Sequence, residues 1–162
     1  MLNSESGKII YSQTHELLKD REVLVLREKK KVEQSRYLIE NTKTGISSPL
    51  QMQFSCVPAK DFKINTSSLV AALDYDKLTF PLELRKWKEG DAFQPLGLKG
   101  KKKLSDFFID QKKNIFEKEN TWLLCSDDQI VWVVGSRIDE RFKLVEKTQK
   151  VYLAELNDVF GK

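Results

Sequence analysis

Apolar and polar residues alternate along much of this chain, and a period of two marks strands that bury one face. The clearest case is residues 50–57, where Met52, Phe54 and Cys56 alternate with Gln51, Gln53 and Ser55 until Pro58 ends the run. Residues 81–87 alternate again and close on the turn Glu89-Gly90-Asp91. Nearer the start, residues 8–11 read as a short strand. Residues 14–18, the turn Lys19-Asp20-Arg21 and residues 22–27 read as a hairpin. Residues 27–33 form a charged connector, and residues 36–40 begin a strand that turns at residues 41–45. The apolar run at residues 69–74 is too short for periodicity to separate strand from helix; strand is the expectation. A second hairpin follows from residues 121–125 and 130–134 around Ser126-Asp127-Asp128-Gln129, then a polar connection at 137–142 and a last strand at 151–154.

The period changes once. Leu104, Phe107, Phe108 and Gln111 recur at i, i+3, i+4 and i+7, which predicts a helix over residues 103–112 with Ser105, Asp106, Asp110 and Lys112 on its polar face. Asn114 with Glu117 three residues later has the spacing of a capping box, opening a second short helix that Asn120 ends. The fold class expected is α+β: a largely antiparallel β-sheet with two short helices on one face. Residues 1–6 are expected to be a disordered start, residues 7–69 a β-rich N-terminal part and residues 70–160 the second part. One continuous domain over 7–160 is the alternative. Helical and strand spacing assigns Phe107, Phe108 and Trp132 to the core, whereas Trp87 and Phe93, beside a basic loop, are left between core packing and base stacking.

Composition narrows the class without naming it. Apolar residues make up 40% and charged residues 32% of 162, and mean hydropathy is −0.46, ordinary values for a globular chain. The longest apolar stretch, residues 130–134, is far below the ~20 residues of a membrane span. A cytoplasmic protein with no membrane partner is expected. Cys56 and Cys125 each sit in an apolar run and read as buried, reduced thiols. With one histidine, His15, and no CxxC pair, clustered-ligand metal sites and a Ser-His-Asp relay are poorly supported. Asp106 and Asp110 lie four apart, a spacing compatible with Mg²⁺ or acid–base work; the plainer reading puts Asp106 at the helix start and pairs Asp110 with a lysine. No catalytic or metal-binding residue is assigned.

Charge changes the picture more. The chain carries 28 basic and 24 acidic residues, a net +4. Residues 85–103 alone hold +5, so the rest sums to −1. Such a block is an electrostatic footprint for a polyanion, its bland counterpart being a solvated, solubilising loop.

One stretch carries a resemblance: Leu84-Arg85-Lys86-Trp87-Lys88-Glu89-Gly90-Asp91-Ala92-Phe93-Gln94-Pro95-Leu96-Gly97, continuing through Lys101-Lys102-Lys103-Leu104-Ser105-Asp106-Phe107-Phe108-Ile109-Asp110. It resembles the C-terminal domain of bacterial tRNA(Ile)-lysidine synthetase. Ile130-Val131-Trp132-Val133-Val134-Gly135 and Arg137-Ile138-Asp139-Glu140-Arg141-Phe142-Lys143 match that family's closing pattern, and Leu73-Asp74-Tyr75-Asp76-Lys77-Leu78 its approach. The match covers about residues 70–145, with residues 7–69 fitting more loosely.

The resemblance implies a fold similar to a domain of the phenylalanyl-tRNA synthetase β subunit, and a role in holding tRNA(Ile) from its acceptor-stem side. In that family an N-terminal ATP-pyrophosphatase domain adenylates the wobble cytidine, and lysine displaces AMP to give lysidine. That domain's Ser-Gly-Gly-x-Asp-Ser loop does not occur here, nor does any other phosphate-loop motif. ATP and Mg²⁺ are therefore expected in the full-length ligase and no cofactor in this chain, whose partners would be tRNA(Ile) and the catalytic domain.

The residues suit that task. A-form stems are read through phosphates, 2′-hydroxyls and shape. Gly97 and Gly100 let backbone approach a phosphate, Lys99, Lys101, Lys102 and Lys103 supply charge, and the helix starting near Lys103 offers free N–H groups. Arg137 and Arg141 are candidates for forked phosphate contacts. With Arg85 and Lys112 they complete the expected RNA-binding set. The alternative is a protein-interaction or dimerisation module without RNA contact, its sheet edges docking on the catalytic domain or on a second copy.

Overall fold

The fold is built from the predicted alternation, with both faces of one sheet buried. The structure is a computed structural model and describes residues 6–29 and 36–157. Most of the expected disordered start, Lys30 and Lys31 of the connector, and residues 158–160 lie outside the described residues.

Five strands form the central sheet: β4 (Arg36–Ile39), β8 (Leu82–Lys86), β11 (Trp122–Ser126), β12 (Gln129–Val133) and β13 (Arg137–Ile138), in the order β13-β12-β11-β8-β4. Against it lies a four-stranded sheet of β5 (Gly45–Ile46), β6 (Met52–Pro58), β7 (Val70–Asp74) and β14 (Lys150–Leu156), in the order β5-β6-β14-β7. Every pairing in both is antiparallel. Successive side chains of a strand point to opposite faces, so β11 serves two cores. Trp122 and Leu124 join Leu82, Leu84 and Trp132 against Met52, Phe54, Leu73 and Tyr152 of the second sheet. Leu123 and Cys125 look the other way, toward Phe93, Leu104, Phe107 and Phe108.

That outer core is roofed by helix α1 (Leu104–Asp110), whose buried residues Leu104, Phe107 and Phe108 are those of the predicted stripe. Helix α2 (Ile115–Glu119) opens with the expected capping box: Glu117 N–H donates to Asn114 Oδ1 at 2.9 Å and Asn114 N–H to Glu117 Oε2 at 2.7 Å. The α+β class, a largely antiparallel architecture with two short helices, is observed.

Sequence-remote strands are woven together. Edge strand β4 pairs with β8, and β6 pairs along its whole length with β14, so residues 36–58 and 70–156 share both sheets. Strands β1 (Ile9–Tyr11), β2 (His15–Asp20) and β3 (Val23–Glu28) stand apart as a three-stranded sheet. Arg27 ties it to α2: the guanidinium lies 3.7 Å from the Phe116 ring centroid and pairs with Glu16 and Glu119.

Two expectations are corrected and one open choice is settled. Cys56 is exposed rather than buried, although alternation groups it with Met52 and Phe54 and its partner across the ladder, Tyr152, is buried. Phe93 is fully buried, and Trp87 is half-buried with its ring edge-on to Phe108 at 5.1 Å, so Phe93 belongs to the core and Trp87 to its margin. Residues 137–142, expected as a polar connection, form β13 and a 3-10 turn over Glu140–Phe142. Among the described residues no helix is long and apolar enough to cross a membrane.

Candidate nucleic-acid interface

The basic stretch folds as a hairpin. Strand β9 (Ala92–Phe93) pairs with β10 (Lys102–Lys103) in the register Lys102 to Phe93 and Lys103 to Ala92, leaving residues 94–101 as the connecting loop. Phe93 anchors the base in the outer core, edge-on to Phe107 at 5.0 Å. Gly97 and Gly100 take φ values of +86° and +91°, a left-handed conformation that glycine adopts without steric cost. The loop is thus able to turn twice and expose Leu98, Lys99 and Lys101 at its tip.

The charged residues of the predicted set divide by what holds them. Lys99, Lys101 and Lys103 are exposed and have no side-chain partner among the described residues. Lys102 is bonded to Asp110, which settles the Asp110 reading in favour of a lysine partner. Arg85 is different: its fork meets Asp91 through Nη1 to Oδ2 at 2.9 Å and Nη2 to Oδ1 at 2.8 Å, with side chains 13% and 8% exposed. The Asp91 hydrogen bond raises the guanidinium's pKa against the opposing effect of burial. Burial alone would raise the Asp91 carboxyl, yet the Arg85 hydrogen bond and the Lys88 amide pull it below its ordinary value. Asp91 also accepts, at its backbone carbonyl, the Leu104 N–H at 2.8 Å. The first amide of α1 is therefore occupied by the chain's own backbone.

Arg141 is likewise committed, its Nε and Nη2 donating to the two oxygens of Asp139 at 2.9 and 2.8 Å while Nη1 donates to Gln129 at 3.2 Å. The Asp139 hydrogen bond raises the Arg141 pKa. Arg137 is exposed, its guanidinium carbon 5.7 Å from the Phe107 centroid. Lys112 is exposed beyond the end of α1, roughly 10 Å of helix from Lys103 at 1.5 Å per residue. The fold thus places Lys99, Lys101, Lys102 and Lys103 on one hairpin whose loop is bonded to the segment 138–140 between Arg137 and Arg141, reaches Arg85 through Asp91, and leaves Lys112 at the far end of the helix.

Two acidic residues matter that sequence reasoning passed over. Asp139, fully buried, accepts the Gln94 N–H at 2.8 Å, and Glu140 accepts the Gly97 N–H at 2.8 Å. The local sign was an Asp two residues before an Arg; the amides they hold lie 45 and 43 positions away, beyond any spacing rule. Elsewhere, His15 contacts Thr14 at 2.8 Å and lies 4.0 Å from Glu28. Asp106 is exposed. Burial pushes the Cys125 thiol up to about 11, so it stays protonated and inert at neutral pH. Among the described residues no group of three or more His, Cys, Asp or Glu converges as a metal-ligand set.

Comparison with known proteins finds matches in two parts of the chain. The family model described as the TilS substrate C-terminal domain matches residues 82–155, and the TilS substrate binding domain model matches residues 1–30. The tRNA(Ile)-lysidine synthase of Parabacteroides distasonis is 50% identical over 153 residues, covering 94% of this chain and 35% of that protein. That of Bacteroides thetaiotaomicron is 34% identical over 155 residues, covering 96% and 34%. The chain therefore spans about a third of the length of these curated relatives. A crystal structure of a TilS C-terminal domain aligns with 78% of this chain and 99% of its own at a TM-score of 0.65 and 19% identity, a likeness of fold. On the family matches and these relatives, the chain belongs to the TilS C-terminal domain family.

Proposed function

We propose that this chain is the tRNA-binding C-terminal domain of a tRNA(Ile)-lysidine synthase, gripping the acceptor-stem side of tRNA(Ile) while a separate ATP-dependent domain of the longer polypeptide converts the wobble cytidine to lysidine. The observation that carries this reading is the β9–β10 hairpin, which projects Lys99, Lys101 and Lys103 without side-chain partners among the described residues from a base rooted in the core. Unpaired ammonium groups on a flexible stem suit phosphates whose spacing is fixed by the RNA and not by the protein. Lys102, Arg137 and Lys112 extend the positive surface. Arg85 and Arg141, forked onto Asp91 and Asp139, contribute by shaping the loop and its neighbouring turn. ATP and Mg²⁺ belong, on this reading, to the catalytic domain and act in the cytoplasm of a bacterial cell.

The test is titration of a tRNA(Ile) transcript with the chain across a range of salt. Binding that weakens steeply with salt supports the proposal. Concentration-dependent self-association with no RNA binding would favour the protein-interaction reading instead.

A further inference from the structure

The loop that bears the lysines is held in two unequal halves. Its first half is stitched to the turn after β13: Gln94 N–H donates to Asp139 Oδ2 at 2.8 Å, Glu140 N–H to the Gln94 carbonyl at 2.7 Å, Leu96 N–H to the Ile138 carbonyl at 3.0 Å, and Gly97 N–H to Glu140 Oε2 at 2.8 Å. Pro95 and Asp139 form an antiparallel bridge. Among the described residues the second half has only the Leu98 N–H to Pro95 carbonyl contact at 2.9 Å and the Gln94 amide reaching the Leu98 carbonyl at 3.3 Å. Glu140 stands at the junction of the two halves. Its carboxyl is ionised, drawn below its ordinary pKa by the Gly97 amide and the Lys143 ammonium. One oxygen of Glu140 is spent on Lys143 and the other on the backbone of the loop that bears the lysines, an arrangement that holds the loop itself.

We propose that Glu140 is a positioning residue for RNA: by clamping the Gly97 amide it fixes the left-handed turn from which Lys99 and Lys101 are presented, with buried Asp139 fixing Gln94 beneath it. This rests on the reading of the hairpin as the RNA interface. Pinning the loop before contact removes ordering cost from binding without adding a contact. The consequence is specific: losing the clamp should weaken binding by the same factor at every salt concentration, because the number of phosphates neutralised does not change.

The experiment titrates a tRNA(Ile) transcript with the wild-type chain, Glu140→Ala, Glu140→Gln and the triple variant Lys99→Ala/Lys101→Ala/Lys103→Ala, at several salt concentrations, with melting temperatures for each. The expectation is that Glu140→Ala weakens binding about three- to tenfold at all salts with an unchanged slope. Glu140→Gln should stay near wild type, since its side-chain carbonyl still accepts the Gly97 N–H. Gly97→Ala, strained at φ +86° but with open space for its Cβ, is a second way to disturb the same turn and should mimic Glu140→Ala. Tighter binding by Glu140→Ala would show that the residue acts only as a repelling charge. Unchanged affinity, or a changed salt slope, would also overturn the clamp. If instead the triple lysine variant binds as wild type, the hairpin is not the interface, and that outcome is separate from any result at position 140.

Discussion

Arg85 and Lys101 belong to one basic stretch of sequence, yet they end in opposite situations. Arg85 lies on β8 under the α1 layer, bidentate with Asp91 and 13% exposed. Lys101 stands at the tip of the hairpin with no side-chain partner among the described residues. Arg141 repeats the first pattern through Asp139, and Lys99 and Lys103 repeat the second. Arginine suits the first role because its rigid fork matches a carboxylate, and lysine the second because a compact charge on a flexible stem adapts to an incoming phosphate. A count of basic residues treats them alike. The structure separates a set that builds the platform from a set that is available to a partner.

The strongest way to break that contrast is to attack the platform. Phe108→Ala should lower stability by roughly 3–5 kcal/mol, since the ring is fully buried between Trp87 and the central sheet and its removal leaves a cavity. Thermal melting checks it. A variant that melts like wild type but binds less tRNA would move this face from interior to interface.

Asp91→Asn should cost about 2–3 kcal/mol by leaving the half-buried Arg85 fork without its charged partner. The same pair has a pH signature. The folded pKa of Asp91 lies below its ordinary 3.8, so its stabilisation is complete above that value and is lost as pH falls below it, through the lowered folded pKa. Melting curves of wild type and Asp91→Asn between pH 5 and pH 2 should therefore converge on acidification. A constant gap would mean that the pair contributes through packing alone.

Replacing Lys99, Lys101 and Lys103 by Ala should leave stability within about 0.5 kcal/mol of wild type, while lowering the salt slope of tRNA binding by roughly 2–3. Loss of stability instead would place the lysines in the platform. The smallest effect sharpens the interior boundary: a thiol reagent should label exposed Cys56 in the native chain and leave Cys125 unmodified until denaturant is added. Native labelling of Cys125 would show the outer core to be open.

Local pattern was enough for much of this protein. The helical stripe of Leu104, Phe107 and Phe108, the Asn114/Glu117 capping box and the 121–134 hairpin depend on side chains a few residues apart, and interactions of that range are written in the sequence itself. The basic block was equally plain, and Asp110 does pair with a lysine, although that lysine, Lys102, sits on β10 and not on the helix.

Tertiary structure decided the rest. Alternation placed Cys56 with Met52 and Phe54, but burial depends on what packs around a position in three dimensions, and Cys56 is exposed. The two-residue strands β5, β9, β10 and β13 carry too few positions to show a period, and they exist because a partner strand supplies their hydrogen bonds. Which cations are free was settled the same way. Composition and spacing marked Arg85, Arg141 and the lysines as one set, whereas their division follows from carboxylates brought to the arginines and from loop amides tied to residues more than forty positions away. A charge becomes available or committed only when the chain folds, because its energy depends on what lies within a few ångströms and not on its neighbours in sequence.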